Sequence, residues 1–148
     1  MITSGITAVR STGATAGGLP DLASAYAELS QFDDAWRCIG QAMTEVETTK
    51  GKIWEAEIHR IAGEISLMSP QPDAAKAEAY FERALAVARG QQAKSWELRA
   101  AMSMARLYRD QGKRDEARAL LAPVYGWFTE GFDTLDLKEA GALLETLS

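Results

Sequence analysis

The chain has 148 residues, 47% of them hydrophobic, with 16 basic and 21 acidic side chains and a net charge of −5. That length supports one domain, no apolar run approaches the ~18 residues of a membrane span, and a lone cysteine, Cys38, excludes an internal disulfide. Duplex affinity rests on neutralising phosphates, so an acidic chain is a poor general nucleic-acid binder; composition points to a cytoplasmic protein with neither membrane nor nucleic acid as partner.

Residues 1–18 are rich in Gly, Ser, Thr and Ala, carry one arginine and lack an apolar run of the secretory kind. They read as an irregular or frayed segment. Pro20 suits the first turn of a helix, where its missing N–H costs nothing, so a helix is predicted over 20–29. A turn near Ser30–Phe32 leads to a second helix over 33–48. A third spans 52–68 and stops at Ser69-Pro70-Gln71-Pro72, which no helix crosses. Asp73 is a natural N-cap for a fourth helix reaching Arg89, with Gly90 as its C′ residue. A fifth runs over 94–110, Gly112 breaks it, and a sixth begins at Arg114, where Pro123 predicts a kink or a break. The last helix starts near Thr134, with Asp136 complementing its macrodipole. Leu137, Ala140, Leu143, Leu144 and Leu147 form its apolar stripe, and it reads as a cap over the preceding pair, with Trp127 and Phe128 placed beneath it.

The second, fourth and sixth helices repeat one pattern. Ala35, Ala77 and Ala117 are each followed four residues later by a bulky residue (Ile39, Phe81, Leu121) and seven residues later by a small one (Ala42, Ala84, Val124). The helices before them pair a small residue with a polar or aromatic one a turn later: Ala23/Tyr26, Gly63/Ser66 and Ala105/Tyr108. Trp54-Glu55 and Trp96-Glu97 share the 42-residue offset that relates Gly63 to Ala105 and Ser66 to Tyr108. One such hairpin cannot bury its own apolar face and must stack on neighbours. The predicted fold is all-α, a right-handed α-solenoid of antiparallel hairpins over 19–148, with hairpins at about 20–49, 52–90 and 94–129 and a capping helix at about 134–147.

The run Leu22-Ala23-Ser24-Ala25-Tyr26 followed by Ala35 and Ala42, and more closely Met104-Ala105-Arg106-Leu107-Tyr108 with Gly112 and Ala117, resembles the tetratricopeptide repeat. The spacing of the alanines, 42 and 40 residues, exceeds that family's 34-residue period. Longer-period repeats of this kind resemble those of bacterial regulators carrying an ATPase or nucleotide-cyclase module. The stretch Trp96–Leu147, with Arg109-Asp110-Gln111-Gly112 and Pro123-Val124-Tyr125-Gly126-Trp127-Phe128, is similar to the C-terminal tail of such proteins. The resemblance implies either a free-standing interaction module or a regulatory tail whose catalytic domain lies elsewhere.

Catalytic constellations are not found. His59 is the sole histidine; with one cysteine besides, no His-plus-carboxylate or Cys/His zinc spacing arises, and an inter-helix polar contact is favoured over a catalytic base. Gly51-Lys52 and Gly112-Lys113 lack the earlier glycine and the following Ser/Thr of a phosphate loop. Cys38 reads as a small buried hydrophobe, and the many carboxylates as solvated helix faces. No enzyme activity, cofactor or metal is predicted. Trp54 and Trp96, recurring at equivalent points, read as packing residues, while Trp127 stays open between core and partner anchor.

In stacked hairpins the first helix of each pair lines a concave face on which peptide segments lie. By the groove positions that the resemblance implies, this face carries Glu57, Arg60, Glu64 and Met68 on the third helix and Arg99, Met102, Arg106 and Arg109 on the fifth. From Arg83 to Arg118 nine bases face four acids, a local charge of +5 against −10 for the remainder. This basic stripe suits an acidic segment of a protein or peptide partner, although a solvated helix face is the plainer reading. The lysine/asparagine clamp for a C-terminal carboxylate used by some such domains is replaced by Arg60 and Glu64. A first hairpin that starts without a covered flank also predicts a homodimer or a poorly ordered N-terminus.

Overall fold

The computed structural model describes residues 18–47 and 51–148. Among the described residues the chain is all-helical, without strands. Its helices are α1 (Leu19–Glu28), α2 (Phe32–Val46), α3 (Glu55–Met68), α4 (Ala74–Gly90), α5 (Lys94–Asp110), α6 (Arg114–Trp127) and α7 (Leu135–Leu147). A 3-10 turn, Gly51–Trp54, leads into α3. Apart from Gly18, the expected irregular segment over 1–18 lies outside the described residues.

Local chemistry accounts for these boundaries. Pro20 occupies the first turn of α1, with Asp21 beside it. Asp33 and Asp34 sit in the first turn of α2, where the exposed N–H groups favour acids. The Asp73 carboxylate accepts the Lys76 N–H at 2.9 Å and so caps α4 as predicted. Helix α6 runs unbroken through Pro123, so of the kink or break expected there the break does not occur. Pro123 and Ala119, whose carbonyl loses its donor, are both exposed, so water can replace the missing bond.

Three junctions reverse the chain by the same device. After α1, α4 and α5 a residue in left-handed conformation follows: Ser30 (φ 62°), Gln92 (φ 56°) and Gly112 (φ 79°). The next N–H returns to a carbonyl five residues back, Gln31 to Tyr26, Ala93 to Ala88 and Lys113 to Tyr108, at 2.8 Å in each case. The preceding N–H returns three residues back, from Ser30 to Ala27, Gln92 to Arg89 and Gly112 to Arg109, at 2.9–3.1 Å. These are Schellman caps, and a new helix starts at once. Gly90, expected at the left-handed position, is instead the last residue of α4.

Consecutive helices pack on one another, and α1 also touches α3, α3 touches α5, and α5 touches α7. The odd-numbered helices thus form a continuous row. Helix α3 accordingly buries Ala56, Ile58, Ile61, Ala62, Gly63, Ile65 and Ser66 on several sides, whereas α6 buries only the stripe Ala117, Leu121 and Val124. All three repeating alanines, Ala35, Ala77 and Ala117, are wholly buried.

The tightest approach lies between α3 and α4. A Cβ placed on Gly63 would collide with Cε1 of Phe81 and come within 2.7 Å of its Cδ1. Only glycine leaves room for that ring. In the other repeats the equivalent pairs are Ala23 with Ile39 and Ala105 with Leu121, all buried. An aromatic side chain thus accompanies glycine, and an aliphatic one accompanies alanine.

Candidate functional site

Glu57, in the first turn of α3, is buried and accepts a fork from Arg60 one turn later, with Nε to Oε1 at 2.7 Å and Nη2 to Oε2 at 2.9 Å. Arg60 Nη1 also donates to Ser103 Oγ of α5 at 3.3 Å. From α5, Arg99 Nη1 reaches Glu57 Oε2 at 2.8 Å, and its Nε lies 3.9 Å from Asp136 Oδ1 on α7. One carboxylate therefore holds two guanidinium groups, and the cluster ties α3, α5 and α7 together. Burial alone would lower the pKa of Arg60; the bonded Glu57 carboxylate, with Glu64 and Asp136 behind it, outweighs burial and raises the pKa.

The other residues of the predicted face are distributed differently. Arg106 Nη2 meets Glu139 Oε2 of α7 at 3.4 Å. Arg109 Nε meets Asp110 Oδ1 at 3.1 Å, and Glu64 is half-buried near Arg60. Met102 is a core residue, 3% exposed, and offers nothing to a partner. Its helical position places it against the neighbouring apolar cluster of α4, α6 and α7. Buried Glu57 and half-buried Arg60 serve one another before any ligand. The face remains open where Arg106, Arg109, Glu139, Ala142, Leu143 and Thr146 line a depression of about 350 Å³ between α5 and α7.

Sequence reasoning missed Ser103, Asp136 and Glu139. Their signal was present: Asp136 and Glu139 are three apart on one helix, opposite Arg99 and Arg106, which are seven apart. It is readable only if α7 is taken as a further member of the odd row and not as a terminal lid. The basic stripe is likewise largely spoken for. Buried Glu97 binds Arg89 at 3.1 Å and Lys94 at 3.3 Å. Arg114 and Arg118 donate to the Thr146 and Leu147 carbonyls at 2.9 and 2.7 Å, where positive charge complements the end of α7.

His59 of α3 is 6% exposed and its Nδ1 has no hydrogen-bond partner. Its Nε2 lies 3.8 Å from Glu55 Oε2, an electrostatic distance rather than a hydrogen bond. Burial pushes its pKa down, opposed by Glu55 and assisted by Arg83. The Tyr80 ring lies near-parallel to it, at 30° and 6.3 Å between centroids. Among the described residues no group of His, Cys, Asp and Glu is placed to hold a metal ion. No helix among them is long and apolar enough to cross a membrane.

Trp54 and Trp96, recurring at equivalent points, pack on one another at 5.5 Å, and Trp96 Nε1 donates to the Ile53 carbonyl at 2.9 Å. Trp127 is 58% exposed, edge-on to Phe128. Compared with known protein families, curated proteins and solved structures, the chain gives no match.

Proposed function

We propose that residues 19–148 form a solenoid of antiparallel helical hairpins, of the tetratricopeptide type, that acts as a non-enzymatic protein-interaction module. The continuous row α1–α3–α5–α7 carries this reading, because alternate helices touch in sequence when like hairpins stack in register. Small side chains at each crossing, Ala23, Gly63 and Ala105, let the helices approach closely. The partner segment lies along the row where it is still open, at Arg106 and Arg109. Arginine forks select carboxylates there, so the segment is acidic.

Selection from a random peptide display library tests this assignment. Recovered peptides are expected to be acidic and to lose at least about tenfold in affinity, or about 1.4 kcal/mol, against the Arg106→Glu/Arg109→Glu double variant. Peptides that bind the double variant as well as the parent would reject the site.

A further inference from the structure

We propose that the depression formed by His59 of α3 and one face of α4 is a binding site for a small aromatic carboxylate. Lys76, Ala79, Tyr80 and Arg83 succeed one another at helical spacing and, with His59, line a recess of about 450 Å³. That volume is in the range of small-ligand sites, roughly 300–1,000 Å³. The recess lies away from the Arg106–Arg109 depression and stands independently of the partner-binding reading.

Three features define the occupant. First, two aromatic rings line the recess: Tyr80 and His59 stack on one another, and Tyr80 also packs on Trp36 of α2 at 6.0 Å; such a lining suits a planar ring met edge to face. Second, the charge is unbalanced. The charged and titratable groups lining the recess are His59 of α3 and Lys76, Tyr80 and Arg83 of α4, two cations with Glu55 of α3 as the neighbouring acid. Glu55 only partly answers them, lying 4.0 Å from Arg83 Nη2, while Lys76 Nζ rests 4.3 Å above the Trp36 ring. Arg83 has its side chain 64% exposed and presents the fork that matches a carboxylate. Third, the recess is short. Lys76 to Arg83 is seven residues of helix, about 10 Å at ~1.5 Å per residue, which fits one ring and its acid group better than a length of peptide backbone.

His59 is the only histidine in the chain, so its ring gives a single isolated NMR signal to follow. Titration with phenylacetate is expected to shift that signal saturably, with half-saturation in roughly the millimolar range for a ligand of this size. Phenylacetamide, of the same shape without the charge, should bind at least about tenfold more weakly, and Arg83→Gln should weaken phenylacetate by a similar factor. Lys138→Gln, on the exposed side of α7, should change nothing. A flat titration, equal binding of the amide, or indifference to Arg83→Gln would overturn the assignment. So would a peptide ending in phenylalanine that binds more than about tenfold tighter than phenylacetate, because the occupant would then be a protein terminus.

Discussion

Gly63 shows how much one absent methyl group decides. Helix propensity alone favours alanine there by about 1 kcal/mol, yet the added Cβ would drive into the buried Phe81 ring. Overpacking of this kind costs about 1–3 kcal/mol. Gly63→Ala is therefore expected to lower the urea midpoint, and adding Phe81→Leu, which recreates the Ala105/Leu121 pairing, should restore most of the loss. Equal stability of Gly63→Ala and parent would refute the close approach. His59 supplies a second prediction at this scale. Its folded pKa is depressed below 6.5, so between that lower value and 6.5 the unfolded chain binds more protons than the native one. Its contribution to stability is thus present above pH 6.5 and lost as pH falls through the folded pKa. Denaturation at pH 7.5 and 5.5 should show the parent losing stability and His59→Phe losing less. The alanine rows were legible in the sequence because size alternates at fixed spacing. The Gly63–Phe81 complementarity was not, because nothing local ties a glycine to a ring 18 residues later.

At the scale of the element, helix ends were readable where residue type enforces them, as at Pro20, Asp73 and the Pro70–Pro72 loop. They were less readable at left-handed turns. Gly112 announces itself, but Ser30 and Gln92 adopt the same conformation without any residue-type signal. A left-handed non-glycine residue costs about 1–2 kcal/mol, partly offset because glycine loses more freedom on folding. Gln92→Gly should accordingly raise the melting temperature slightly, with a gain of about 0.5–1 kcal/mol, while Gly112→Ala should lower it by a similar amount. If both substitutions shift it in the same direction, the shared cap geometry is wrong. Pro123 does not end its helix, and the lost bond falls at residues that are exposed to water.

For the whole molecule, the all-helical architecture was legible from periodicity, whereas the charge network that crosses it was not. Glu57, Arg60, Arg99 and Asp136 meet across three helices, and the pairings between helices, 42 residues apart for Glu57–Arg99 and 37 for Arg99–Asp136, leave no local trace. The same contacts explain why a stripe that looks like a docking face in sequence is partly an internal fastening. Arg106 and Arg109 lie outside that cluster, paired only with the exposed carboxylates of Glu139 and Asp110, which is why the proposed partner site is placed there.

The stacking of hairpins into an open row is tested most directly by pairwise spin-label distances in a Cys38→Ala background. Labels at Glu28, Met68 and Asp110 mark the exposed C-terminal ends of α1, α3 and α5. An open row predicts that Glu28 to Asp110 exceeds each neighbouring distance by about one interhelix step, roughly 8–10 Å. Three equal distances would mean that the helices close into a bundle, and the proposed solenoid would be contradicted.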